Sequence, residues 1–107
     1  MQIPVLDAII QGSTRPTIPF VMSKNDGSII VCTGGNFTGK RRKLEGKGEG
    51  VAIAGSISVT DGPNGEITMS YDDADVATAG RILFQITGVI SGGTYIRFFI
   101  QPIDEAI

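Results

Sequence analysis

The side chains in this sequence that could carry chemistry form three groups. They are a carboxylate cluster at Asp72, Asp73 and Asp75, four consecutive cations at Lys40, Arg41, Arg42 and Lys43, and one thiol, Cys32. Carboxylates crowded on one loop can take a hard cation such as calcium. Here the spacing matches no calcium loop, and no glutamate follows where a bidentate ligand would stand. The same residues serve as turn acceptors and local caps, the commoner use of aspartate in a loop. Two carboxylates could also cleave a glycoside, but no aromatic cleft is in prospect and tryptophan is absent.

Histidine is absent as well. That removes the commonest general base, the Ser-His and Cys-His nucleophile pairs, and most zinc sites. One cysteine can build neither an internal disulfide nor a thiolate cage, so Cys32 reads as a small buried hydrophobe. Gly34-Gly35 and Gly46-Lys47-Gly48-Glu49-Gly50 contain no phosphate-loop pattern and no helix follows them, so they read as loops. The expectation is a non-enzymatic chain with no catalytic residue, no metal and no cofactor.

The cationic run has two readings. On a strand, alternation puts Lys40 and Arg42 on one face and Arg41 and Lys43 on the other. The run then either contacts an acidic partner or protects a sheet edge by charge. Nucleic acid is a poor candidate partner, because the net charge is −2, the pI is about 4.9, and no aromatics interleave with the cations.

These groups must be positioned by β-structure. In 107 residues with 15 glycines, short β-type runs recur between turn signals, the habit of a sandwich or barrel. Ile18–Met22 and Ser28–Thr33 flank the turn at Asn25-Asp26-Gly27 and are expected to pair as a hairpin. Asn36–Leu44, Val51–Ala54 and Ser56–Thr60 follow as strands, with Gly55 a bend. Asp61-Gly62-Pro63-Asn64-Gly65 is the strongest turn, and Glu66–Tyr71 alternates after it. Asp72–Ala79 is too short and acidic for more than one helical turn. In the last pair, Arg81–Thr87 sets Ile82, Phe84 and Ile86 on one face. Thr94–Gln101 sets Ile96, Phe98 and Ile100 on one face and Tyr95, Arg97 and Phe99 on the other. Matching the first two rows across the core is the natural reading, with Pro102 ending the last strand. The fold class expected is an all-β, immunoglobulin-like antiparallel sandwich of about seven strands. An extended N-terminal arm spans residues 1–10 and a single domain spans 11–107.

Two features point to partners. The arm carries Ile3, Val5, Leu6, Ile9 and Ile10 outside the sandwich pattern, and apolar side chains there must be covered by their own domain or by a neighbour. The Tyr95, Arg97 and Phe99 face is rich in interface-type residues. Neither a secretory leader nor a membrane span is expected from Met1–Ile10, which has no basic stretch and no long apolar run. A cytoplasm, at least during synthesis, is the simplest reading.

Several pieces together resemble a known family. They are Gln11-Gly12-Ser13-Thr14, Asp26-Gly27, Thr33-Gly34, the run Val59-Thr60-Asp61-Gly62-Pro63-Asn64-Gly65-Glu66, then Tyr71, Asp75-Val76-Ala77-Thr78-Ala79-Gly80 and the final strand pair. In this order they resemble the N-terminal immunoglobulin-like domain of the phage baseplate upper protein (BppU-type) family and its short stand-alone relatives among phage structural proteins. Where the family often has Asp-Leu after the first Asp-Gly turn, this chain has Val31-Cys32. The resemblance implies a virion structural protein that docks on other virion proteins. It would serve as a tail or baseplate adaptor or as a capsid decoration (cement) protein on the major capsid protein, as a trimer or ring. The alternative from the residues is a carbohydrate- or cell-surface-binding module presenting Tyr95 and Phe99. A hydrolase subunit is disfavoured by the missing histidine.

Overall fold

A computed structural model describes residues 3–14, 17–24, 26–46, 50–90 and 92–106. Within them the chain forms eight strands. They are β1 (Ile9–Ile10), β2 (Ile18–Val21), β3 (Asn36–Lys43), β4 (Val51–Ala52), β5 (Ser56–Asp61), β6 (Glu66–Ser70), β7 (Gly80–Ile90) and β8 (Gly93–Asp104). A single 3₁₀ turn, Asp73–Val76, joins β6 to β7. The strands build a five-stranded sheet in the order β1-β8-β7-β3-β4 and a three-stranded sheet in the order β2-β6-β5. The all-β sandwich is therefore present. Its order is that of an immunoglobulin sandwich, with β2, β6 and β5 as the B, E and D strands and β3, β7 and β8 as C, F and G.

Three sequence expectations need correction. First, the sheets are not wholly antiparallel, because β1 runs parallel to β8, pairing Ile9 with Ile103 and Ile10 with Asp104. The arm is extended, as expected, and Val5 bridges Ile100 further up the same strand. The arm thus forms an edge of the five-stranded sheet. Between these contacts it takes four steps while β8 takes three. The slip lies opposite Pro102, which has no N–H to give the arm. Gln101 Nε2 donates there instead, to the Asp7 carbonyl at 2.7 Å and to the Pro102 carbonyl at 2.9 Å. Proline therefore bends the pairing without ending β8.

Second, Ile18–Met22 and Ser28–Thr33 do not make a regular hairpin. β2 pairs along its length with β6, and the return segment meets the residues just after β2 at the Ser23–Ile29 bridge, through Lys24 N–H to the Ser28 carbonyl and Ile30 N–H to the Met22 carbonyl. Cys32 N–H goes to the Gly62 carbonyl, and Gly65 O accepts from Met22. Residues 28–33 are thus bonded to two different neighbours, and no ladder forms. Gly65 is required twice at this crossing. Its φ is +72°, and a Cβ would stand 2.6 Å from the Ile30 carbonyl oxygen.

Third, β8 faces the opposite way. Its register sets Phe84 against Phe99, Ile86 against Arg97 and Ile82 against Gln101, and paired residues share a face. Phe99 therefore inherits the inward side of Phe84. The two rings stack with centroids 4.9 Å apart and planes 4° from parallel, and Phe20 and Tyr71 pack against this pair. Met22, Ile30, Cys32, Ile67, Met69, Val76, Ile82, Ile86, Ile90 and Ile103 complete the core. Ile96 and Phe98 point outward.

Candidate functional site

The cationic run divides as its alternation predicts, and the two faces have separate tasks. Arg41 points inward. Its Nε donates to Asp75 Oδ1 at 2.8 Å, where the Asp75 side chain has no solvent exposure. The remaining Asp75 acceptor capacity goes to backbone N–H groups: Ala54 at 2.8 Å on Oδ1, with Gly55 at 2.8 Å and Asp72 at 3.0 Å on Oδ2. Burial pushes this carboxyl up, but the four donors outweigh burial and hold it below the usual carboxylate value. A carboxylate surrounded by donors cannot also ligate a cation. Among the described residues, no three His, Cys, Asp or Glu side chains are grouped to hold a metal. Asp75 instead pins the 3₁₀ turn to the bend before β5 and to β3.

Lys40 and Arg42 point outward. Register places Arg42 beside Leu83, Leu83 beside Ile100 and Ile100 beside Val5. The neighbouring row runs Ala52, Lys40, Gln85, Phe98. The outer face of the large sheet is thus cationic over β3 and apolar over β8 and the arm. Phe98 is 40% exposed, Ile96 45% and Val5 62%. A shallow groove of about 350 Å³ lies between the two sides, lined by Lys40, Arg42, Leu83, Gln85 and Phe98 with the flank of Arg41. Arg42 also donates to the Gly46 carbonyl. Lys43 ends β3 in solvent.

The other expected interface residues are scattered. Leu6 and Ile9 pack against the core from the arm, while Ile3, Val5 and Ile10 are exposed. Tyr95 leans on the core cluster, and Phe99 is inside it at 1% exposure. Arg97 lies inward of the β8 plane and reaches out to the Ser23 and Ile96 carbonyls, an amphipathic side chain carrying its charge to the rim. A second cleft, about 270 Å³, opens beside it between the sheets, floored by Phe20, Met22 and Phe99 and bounded by Ile3 and Pro4.

Sequence reasoning did not find the residues that hold the interior polar contacts. Tyr71 donates its hydroxyl to Gln101 Oε1 at 2.8 Å, and Gln101 in turn holds the arm. Burial, and then the Asp75 charge, push the Tyr71 phenol far above its ordinary value, so it stays a donor. Cys32 is completely buried and burial raises its thiol, as a structural cysteine requires. Among the described residues no buried side-chain nitrogen or oxygen lacks a partner. Compared with protein-family models, curated proteins and solved structures, the chain finds no match in any of the three.

Proposed function

We propose that this chain is a non-enzymatic docking module of a bacteriophage particle, a tail or baseplate adaptor or a capsid decoration protein, which works by burying its surface against other virion proteins. The observation that carries the reading is the outer face of the five-stranded sheet. There Phe98, Ile96 and Val5 stand in solvent beside Lys40 and Arg42. An apolar sheet face rimmed by charge is the usual form of a protein contact surface. The turn and strand residues that resemble the baseplate upper protein family supply the virion context. The interior adds support, because its buried carboxylate, phenol and amide are all engaged in holding strands together.

The glycan-binding alternative is weaker on these grounds. It depended on Tyr95 and Phe99 as exposed aromatics, and both face the core. The test is mass spectrometry of purified phage particles, fractionated into heads and tails. The chain is expected in one fraction at a fixed copy number per particle. Its absence from particles, while it is made in the infected cell, would overturn the reading.

A further inference from the structure

The charges on the five-stranded sheet are unevenly spread across its width. In the order β1-β8-β7-β3-β4, the cations Lys40 and Arg42 lie on β3, next to the β4 edge, with the exposed Ala52 beside Lys40 and Phe98 across the groove. Carboxylates collect at the opposite border. Asp104 at the end of β8 is the register neighbour of Ile10 on β1, and Asp7, Asp104 and Glu105 are all exposed around that half-exposed isoleucine. Between the borders, Arg81 is balanced by Glu45 at 3.6 Å. Both borders thus combine bare apolar side chains with charge, and the charges have opposite sign.

Lys40 shares a row with Phe98. The acidic end of β8 therefore lies about 20 Å further along the strand and about 10 Å across the sheet, from the rise and spacing of β-strands. Two patches so far apart cannot neutralise each other within one chain, since salt screens charges beyond roughly 8–10 Å. They are complementary between chains. Like patches facing each other would repel, whereas the acidic border of one copy meets the basic border of the next without conflict.

We infer that the chain self-associates head to tail, the Asp7, Ile10 and Asp104 border of one copy seating on the Lys40, Arg42 and Phe98 face of the next. A heterologous contact of this kind closes into a ring when its rotation permits and otherwise extends. The inference does not depend on the virion reading, since it needs only a second copy of this chain.

The experiment is sedimentation velocity on the full chain at low and at molar salt, with two charge-reversal variants. One is Lys40→Glu with Arg42→Glu, and the other is Asp7→Lys with Asp104→Lys. Asp7, Lys40 and Asp104 are exposed and Arg42 is half-buried with its bond to the Gly46 carbonyl, and circular dichroism melts check that each variant folds. Wild type is expected to assemble at low salt and dissociate at high salt. Each variant is expected to weaken assembly by at least about tenfold. An equimolar mixture of the two variants is expected to regain assembly, because the intact acidic border of the first meets the intact basic border of the second and the two reversed borders are again of opposite sign. A monomeric wild type at low salt, full assembly in either variant, or a mixture that stays monomeric would each overturn the inference. A monomeric wild type found in phage particles would leave the docking function standing. An assembling chain missing from particles would do the reverse.

Discussion

Arg41 and Asp75 lie 34 residues apart, yet the arginine Nε stands 2.8 Å from Asp75 Oδ1, inside the seam where β3 meets the turn before β7. The pair fixes where the chain leaves the three-stranded sheet and enters the five-stranded one. Asp75→Ala would leave the Ala54, Gly55 and Asp72 N–H groups and a partly buried guanidinium without their acceptor. A loss of about 3–5 kcal/mol is expected. Arg41→Ala leaves the three backbone donors in place and should cost less, about 1–3 kcal/mol. Urea unfolding of the two variants checks both the size and the order.

The same carboxylate sets an acid limit. Burial raises its folded pKa, but the Asp72, Ala54, Arg41 and Gly55 donors outweigh burial and hold it below the ordinary aspartate value. The stability it adds is therefore fully present above that value and is lost as the pH falls through the depressed one. Asp75→Asn should be less stable than wild type at neutral pH, with the difference shrinking in strong acid. A pH series of urea midpoints for the two proteins measures it, and parallel curves would contradict the assignment.

Phe98 and Phe99 are adjacent and chemically identical but face opposite ways. Phe99→Ala removes a ring stacked on Phe84 and should cost about 3–5 kcal/mol. Phe98→Ala truncates a side chain already 40% exposed, and a cost under about 1.5 kcal/mol is expected for so partial a burial. If the two costs came out reversed in thermal or denaturant unfolding, the inward assignment of β8 would be wrong.

Gly55 admits no side chain. A Cβ there would overlap the Ser70 carbonyl and crowd the Asp72 nitrogen, both backbone atoms. Neither can move without breaking the β5–β6 ladder or the Asp75 cage. Gly55→Ala is expected to unfold the protein or lower its midpoint more than Gly12→Ala, where the surroundings are open and only the φ of +86° opposes a side chain. Melts of the two variants give the comparison.

Cys32 should be silent towards thiol reagents while the protein is folded, since it is fully buried and its thiol is disfavoured from ionising. Labelling by a disulfide reagent should appear only across the unfolding transition. Rapid labelling in native buffer would contradict its inward placement on the crossing segment 28–33.

Much of the sandwich was legible in the sequence because alternation and turn residues act locally. Val59 to Tyr71 gave a strand, a tight turn and a strand, and the structure has them, with Asn64 Nδ2 bonded to Asp61 Oδ2 at 2.9 Å. The division of Lys40 and Arg42 from Arg41 also followed from alternation alone. What failed was register between distant strands. Both faces of Thr94–Gln101 are apolar, so alternation could not say which one faced inward; the pairing of Phe84 with Phe99 decides it. The role of Asp75 was hidden for the same reason. Asp72, Asp73 and Asp75 look alike in the sequence until the fold brings Ala54, Gly55 and Arg41 to one of them.

The parallel contact between Ile9 and Ile103 joins the beginning of the described chain to its end. During synthesis the arm emerges well before the strand that receives it. The five-stranded sheet therefore cannot gain its outermost member until β8 has emerged. Loop closure on this scale makes folding slow relative to helical domains of equal size. Until then the exposed edge of the nascent sheet is open to other chains.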